Sequence, residues 1–145
     1  MAGNAAIYIA DPGMIGSKVF NSLTNVSSYE SLSDGETATG VVFHLPPGRV
    51  TINFMPGEQI QRHLEGLTGF AQQTITDRDK MLYALSRIYH VQLVGGCVIT
   101  PDFDQDGVIE RFLRDLVSRL NGLLFIHGTI FDYDGERLDG LPVAA

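Results

Sequence analysis

Residues 91–100 constrain the fold more than any other segment, because Leu93, Val94, Cys97, Val98 and Ile99 crowd a strand-length run with almost no polar alternation. A half-wet strand alternates apolar and polar side chains, so an uninterrupted run predicts a strand buried on both faces and central in its sheet. Cover on both faces must come from helices elsewhere in the chain. Gly95 and Gly96, inside the run, predict a bulge or a close approach of neighbouring backbone.

The flanking sequence supplies both helices and further strands. Residues 5–10 carry Ile7, Tyr8 and Ile9 and stop at Asp11-Pro12, a capping residue followed by the proline suited to a first helical position. A strand and then a helix to about residue 23 are expected. Residues 41–45 and 50–55 flank Pro46-Pro47-Gly48 and predict a hairpin, with Val50, Ile52 and Phe54 facing a core and Thr51 and Asn53 facing away. Residues 58–72 place Ile60, Leu64, Leu67 and Ala71 at helical spacing, although Gly66 and Gly69 weaken the second half. Thr76 and Asp79 resemble a capping box ahead of the stripe Met81, Leu82, Leu85, Ile88 and Tyr89, which predicts a helix to about residue 90. In residues 107–120 the positions Val108, Ile109, Phe112, Leu113, Leu116, Val117 and Leu120 repeat every 3.6 residues, with Glu110/Arg114 and Asp115/Arg119 paired on the wet side. Asn121-Gly122 supplies a left-handed stop. Residues 123–131 read as one long strand, and Tyr133-Asp134-Gly135 as a turn toward a short last strand near Arg137 and Leu138. The Ser/Thr/Gly-rich residues 27–40 read as a surface loop. The resulting order, β-α-β-β-α-α-β-α-β-β, combines hairpins with crossovers and predicts one α+β domain over residues 1–145: a mixed sheet of about five to six strands with helices packed on it.

Composition narrows the function. A chain of 145 residues buries roughly 68% of the surface its unfolded form exposes, so neither a metal nor a disulfide is required for folding, and the single Cys97 excludes an internal disulfide. The net charge of −7 disfavours nucleic acid, which calls for a basic footprint, and anionic membrane surfaces. No apolar run reaches the length of about 20 residues that spans a bilayer, and the first residues lack a basic stretch ahead of an apolar one. A cytoplasmic, reducing location is the expectation.

Two loops invite a chemical reading. Residues 102–110 resemble the first nine positions of an EF-hand calcium loop: Asp102, Asp104 and Asp106 stand at the first, third and fifth positions, Gly107 at the sixth and Glu110 at the ninth. The twelfth position, which should bring a bidentate carboxylate, is Leu113. Only a weak Ca²⁺ or Mg²⁺ site is implied, and the competing reading is that Asp104 or Asp106 caps the following helix. The second loop, Asp11 to Lys18, offers Gly13, Gly16, Ser17 and Lys18 between a strand and a helix and resembles a P-loop in outline only, since its glycine spacing and lysine position differ. Its glycines are also explained by close packing of a helix start.

The histidines 44, 63, 90 and 127 have no metal-ligand spacing, but His44 and His127 are expected on strands, opening on the polar sheet face with Thr51 and Asn53. Cys97 lies in the most apolar run, where burial keeps a thiol protonated and inert. Three function classes follow. The leading one is a non-catalytic interaction or ligand-binding module without a cofactor, acting as a homodimer and meeting a protein partner or a small molecule. The others are a small metal-assisted hydrolase using Asp102, Asp104 and Asp106, and a regulatory domain sensing an anionic small molecule at the turn from Asp11 to Lys18. The homodimer rests on an apolar patch, with Val41, Phe43, Phe54 and Phe131, that would be left bare if the helices crowded the opposite face.

Overall fold

The computed structural model describes residues 3–23, 26–100 and 107–138. Its strands are β1 (Gly3–Ile9), β2 (Ser28–Asp34), β3 (Thr37–Leu45), β4 (Gly48–Phe54), β5 (Leu93–Thr100), β6 (Leu123–Ile126) and β7 (Thr129–Phe131). The helices are α1 (Ser17–Phe20), α2 (Gly57–Thr74), α3 (Arg78–Tyr89) and α4 (Val108–Leu120), with a 3-10 turn at Pro12–Met14. All seven strands join one sheet in the order β2-β3-β4-β5-β1-β6-β7. The chain is an α+β fold, and β5 is the fourth strand of seven; its central place is as expected, but burial on both faces is not, since Gly95, Cys97 and Ile99 are buried whereas Gly96 is exposed and Val98 and Thr100 are half-buried.

Every neighbouring pair is antiparallel, which corrects the expected mixed sheet. A crossover makes the two strands it joins parallel without making them neighbours. β5 and β6 are joined through α4 and run parallel to each other, yet β1 lies between them, antiparallel to both. Between β4 and β5 the two helices α2 and α3 return the chain, so these neighbours are antiparallel as well.

Helices cover both faces. On one side Ile7 and Ile9 of β1, Val41, Phe43 and Leu45 of β3, Val50 and Ile52 of β4 and Cys97 and Ile99 of β5 pack against α4 and α1. α4 buries Ile109, Phe112, Leu113, Leu116, Val117 and Leu120, each contributing roughly 1.5–3 kcal/mol of transfer free energy. Its outer face carries the expected pairs, Arg114 to Glu110 at 3.9 Å and Arg119 to Asp115 at 3.1 Å. On the other side Tyr8, Val94, Leu123 and Ile130 pack with Leu67 and Ala71 of α2 and Ala84 and Ile88 of α3. Val41 and Phe43 are buried, and Phe54 and Phe131 are half-buried against the α4 core. The patch behind the homodimer expectation is therefore covered within the chain.

Several local expectations change. Residues 27–40 hold β2, an edge strand with a register shift at Leu32/Ser33, rather than a plain loop. The helix expected after Asp11 is a 3-10 turn followed by the single turn α1. The cap of α3 is Asp77, whose carboxylate accepts from the backbone N–H of Asp79 and Lys80, not Thr76. On α3 the buried positions are Ala84 and Ile88, while Leu82 is exposed and Tyr89 is 84% exposed. The long strand over residues 123–131 is a tight hairpin, β6 and β7, because His127 and Gly128 both take positive φ, 53° and 72°, the backbone of a two-residue turn matched to strand twist. The last expected strand is a single bridge, Phe131 to Arg137.

Candidate functional site

The sequence-derived candidates do not converge. Asp11 caps the 3-10 turn, its carboxylate accepting from the Gly13 N–H at 3.0 Å, and Gly13, Gly16, Ser17 and Lys18 line a depression of about 730 Å³ beside Arg119. Gly13, Ser17 and Lys18 are exposed there, and α1, at four residues, is too short to sum a helix dipole. His44 does share a sheet face with Thr51, since the registers His44 to Arg49 and Val42 to Thr51 place them on one side. Its Nε2 stands 3.9 Å from Glu30. His127 is on the β6–β7 turn instead of a strand, with Nε2 3.4 Å from Glu110 on α4. Asp102, Asp104 and Asp106 lie outside the described residues, and Gly107 holds the N-cap position of α4 in left-handed conformation. Leu113 is fully buried. Glu110, the remaining metal candidate, faces Arg114 and His127. Among the described residues no group of three His, Cys, Asp or Glu is placed to hold a metal.

A cleft of about 480 Å³ opens instead between β1, β6 and α2. β1 contributes Asn4, Ala6 and Tyr8, β6 contributes Phe125, and α2 contributes Arg62, His63, Gly66, Leu67 and Phe70. Strand periodicity explains the first set: Ile7 and Ile9 are committed to the α4 side, so Ala6 and Tyr8 must face α2. Helical periodicity explains the second: Leu67 and Ala71 anchor α2 on the sheet, and His63 and Phe70 flank that anchor at four- and three-residue offsets.

Gly66 sets the size of the opening. A Cβ at this position would meet nothing within 4 Å, so the missing side chain leaves space rather than accommodating a neighbour. The helix continues through Gly66 and Gly69 to Thr74, although each glycine costs about 1 kcal/mol relative to alanine.

Four rings form the walls. Phe70 and Phe125 meet edge to face at 5.3 Å, and Tyr8 and His63 stack at 5.6 Å with 26° between planes. The Tyr8 hydroxyl lies 2.8 Å from His63 Nε2. Burial, and then the nearby Cys97, push the Tyr8 phenol up to about 12, so it remains a proton donor. The hydroxyl and Nε2 share one hydrogen, and the imidazole tautomer decides which of them donates it. A scan of protein-family models and searches of curated proteins and solved structures return no match. The cleft must therefore be read from its own chemistry.

Two further groups are structural. Cys97 is 2% exposed on the α4 side, and burial raises its thiol to about 12, which makes it a core residue. Asp132, 5% exposed, accepts from the Tyr83 hydroxyl at 2.5 Å, stands 3.6 Å from Arg87 Nη2 and accepts from the Tyr133 N–H at 2.9 Å. Arg87 also donates to the Asn121 carbonyl at 2.8 Å. This cluster ties α3 to the ends of α4 and β7. No helix of the described chain is long and apolar enough to cross a membrane.

Proposed function

We propose that this protein is a non-catalytic ligand-binding module whose cleft between β1, β6 and α2 takes a small, flat and mostly apolar molecule. The observation that carries the reading is the ring-lined cleft with an opening left by Gly66. Its volume of about 480 Å³ falls within the range of small-molecule sites, roughly 300–1,000 Å³. The Tyr8–His63 pair is spent on an internal hydrogen bond, and the chain's one thiol faces the opposite side of the sheet. No carboxylate lines the cleft.

The other readings have less behind them. A metal-assisted hydrolase or a weak Ca²⁺ or Mg²⁺ site would draw on Asp102, Asp104 and Asp106, and an anion sensor on the exposed turn from Asp11 to Lys18. Self-association retains one support, the edge strand β2, whose outer side has no strand neighbour among the described residues. Glu30, Asp34 and the register shift at Leu32/Ser33 oppose pairing of like edges.

Amide chemical shifts followed during titration with 2-naphthoate and 2-naphthamide test the cleft. Movement confined to Asn4, Ala6, Gly66 and Phe125, abolished by Gly66→Leu without loss of thermal stability, is the expected result. Gly66→Leu fills open space and gains up to about 1 kcal/mol of helix propensity, so it separates blocked binding from unfolding. Absence of cleft shifts with both probes at millimolar concentration refutes the reading.

A further inference from the structure

Resting on the reading above, we infer that the cleft selects a monoanion, an aromatic or similarly flat carboxylate, with Arg62 as its charge partner. Charge at the cleft runs against the charge of the chain. The chain carries 17 Asp and Glu against 10 Lys and Arg, yet no carboxylate lines the cleft, and Arg62 does. A bound anion would meet a cation there and no acid among the lining residues.

Arg62 shares with Arg49, Arg78 and Arg111 the lack of any ion pair or side-chain hydrogen bond with the described residues, and of these it alone lines the cleft, on an exposed position. A guanidinium presents a planar fork of N–H donors that matches the two oxygens of a carboxylate. One fork without a second cation beside it matches one charge rather than two.

Among the remaining polar atoms, Tyr8 and His63 are held by their shared hydrogen bond, and Asn4 adds an amide N–H₂ to the Arg62 fork at the same cleft. The uncommitted groups are thus mainly donors, suited to a ligand head that only accepts. The Phe70–Phe125 pair and the Tyr8–His63 stack then receive the ligand's flat body.

The test compares the isosteric probes 2-naphthoate and 2-naphthamide by calorimetry at pH 8 in the wild-type chain and in Arg62→Gln. The expected result is a Kd at least tenfold lower for the carboxylate, with Arg62→Gln abolishing that gap while the amide changes less than twofold. Raising salt from about 0.05 to 0.5 M should weaken only the carboxylate. Equal affinities, or a carboxylate preference untouched by Arg62→Gln, overturn the inference and leave the cleft reading in place. Failure of both probes to bind overturns both. Arg62 is exposed, so Arg62→Gln is expected to retain the wild-type melting midpoint.

Discussion

Adjacent glycines at the centre of β5 should respond oppositely to the same methyl group. A Cβ added at Gly95 would sit 2.7 Å from Ile52 Cγ2 and 2.9 Å from Ile7 Cγ1, about 1 Å inside ordinary carbon contact. Neither partner can retreat easily. Both isoleucines are fully buried, their χ1 rotamers are restricted by branching, and the gap they share with Leu116 and Leu120 is only about 10 Å³. Overpacking of this kind costs about 1–3 kcal/mol, against which loss of unfolded-state freedom returns about 0.4–1 kcal/mol. At Gly96 the nearest atom to an added Cβ is the Asn53 carbonyl oxygen at 3.9 Å, and neither glycine has positive φ, so only the favourable part remains. Gly95→Ala is expected to destabilise by about 1–2 kcal/mol and Gly96→Ala to stabilise by about 0.5 kcal/mol. At about 2–4 °C per kcal/mol, melting midpoints of the two variants should differ by about 3–10 °C. Urea unfolding followed by circular dichroism, with unchanged slope, measures the same difference. Two variants that shift stability equally would refute the assignment of Gly95 to the α4 side and of Gly96 to the open side of the sheet.

Native Cys97 should resist an aromatic disulfide reagent for as long as the protein stays folded, and labelling within seconds would contradict its burial. Tyr8, Tyr83 and Cys97 all lose their protons later in the folded chain, near 12, than in the unfolded one; for Tyr83, 42% exposed, burial comes first and the bond to Asp132 second. The folded state therefore holds more protons above about pH 9, and stability present below that pH should fall as pH rises toward 12, with a smaller fall in Tyr8→Phe when urea midpoints at pH 8 and 10.5 are compared. Asp132→Ala leaves Arg87 beside a buried vacancy and should cost about 3 kcal/mol, read by thermal melting. Asp77→Ala should cost about 1 kcal/mol by removing the α3 cap, while Thr76→Ala should change the midpoint little.

The parts of this fold that bury apolar surface were legible in the residues, and the parts held by pairing or by absence were not. α4 announces itself because its apolar positions repeat with a single period, and β5 because its apolar run is uninterrupted. β2 offers only Tyr29 and Leu32 among polar residues; what makes it a strand is the hydrogen-bonding edge of β3, which no property of Ser28–Asp34 reveals. The β6–β7 hairpin is concealed because its turn uses His127 ahead of Gly128, where asparagine or aspartate would have been the clearer signal. The cleft was present in the sequence as Gly66, but a glycine within a helical pattern reads as weakness until the space beside it is seen. His63 lacked any ligand spacing, and its partner Tyr8 is 55 positions away.

The placement of β1 between β5 and β6 has a consequence for biosynthesis. Its partners in β5 lie 84 to 96 positions further along the chain, which ribosomes take about 4–20 s to deliver. During that interval the meander of β2, β3 and β4 can close on itself, whereas Ile7 and Ile9 wait with both backbone edges of their strand unsatisfied. A strand made ahead of both its partners is thus among the last of this sheet to be locked in place. Until then it is the segment most open to capture by a chaperone or by another nascent copy.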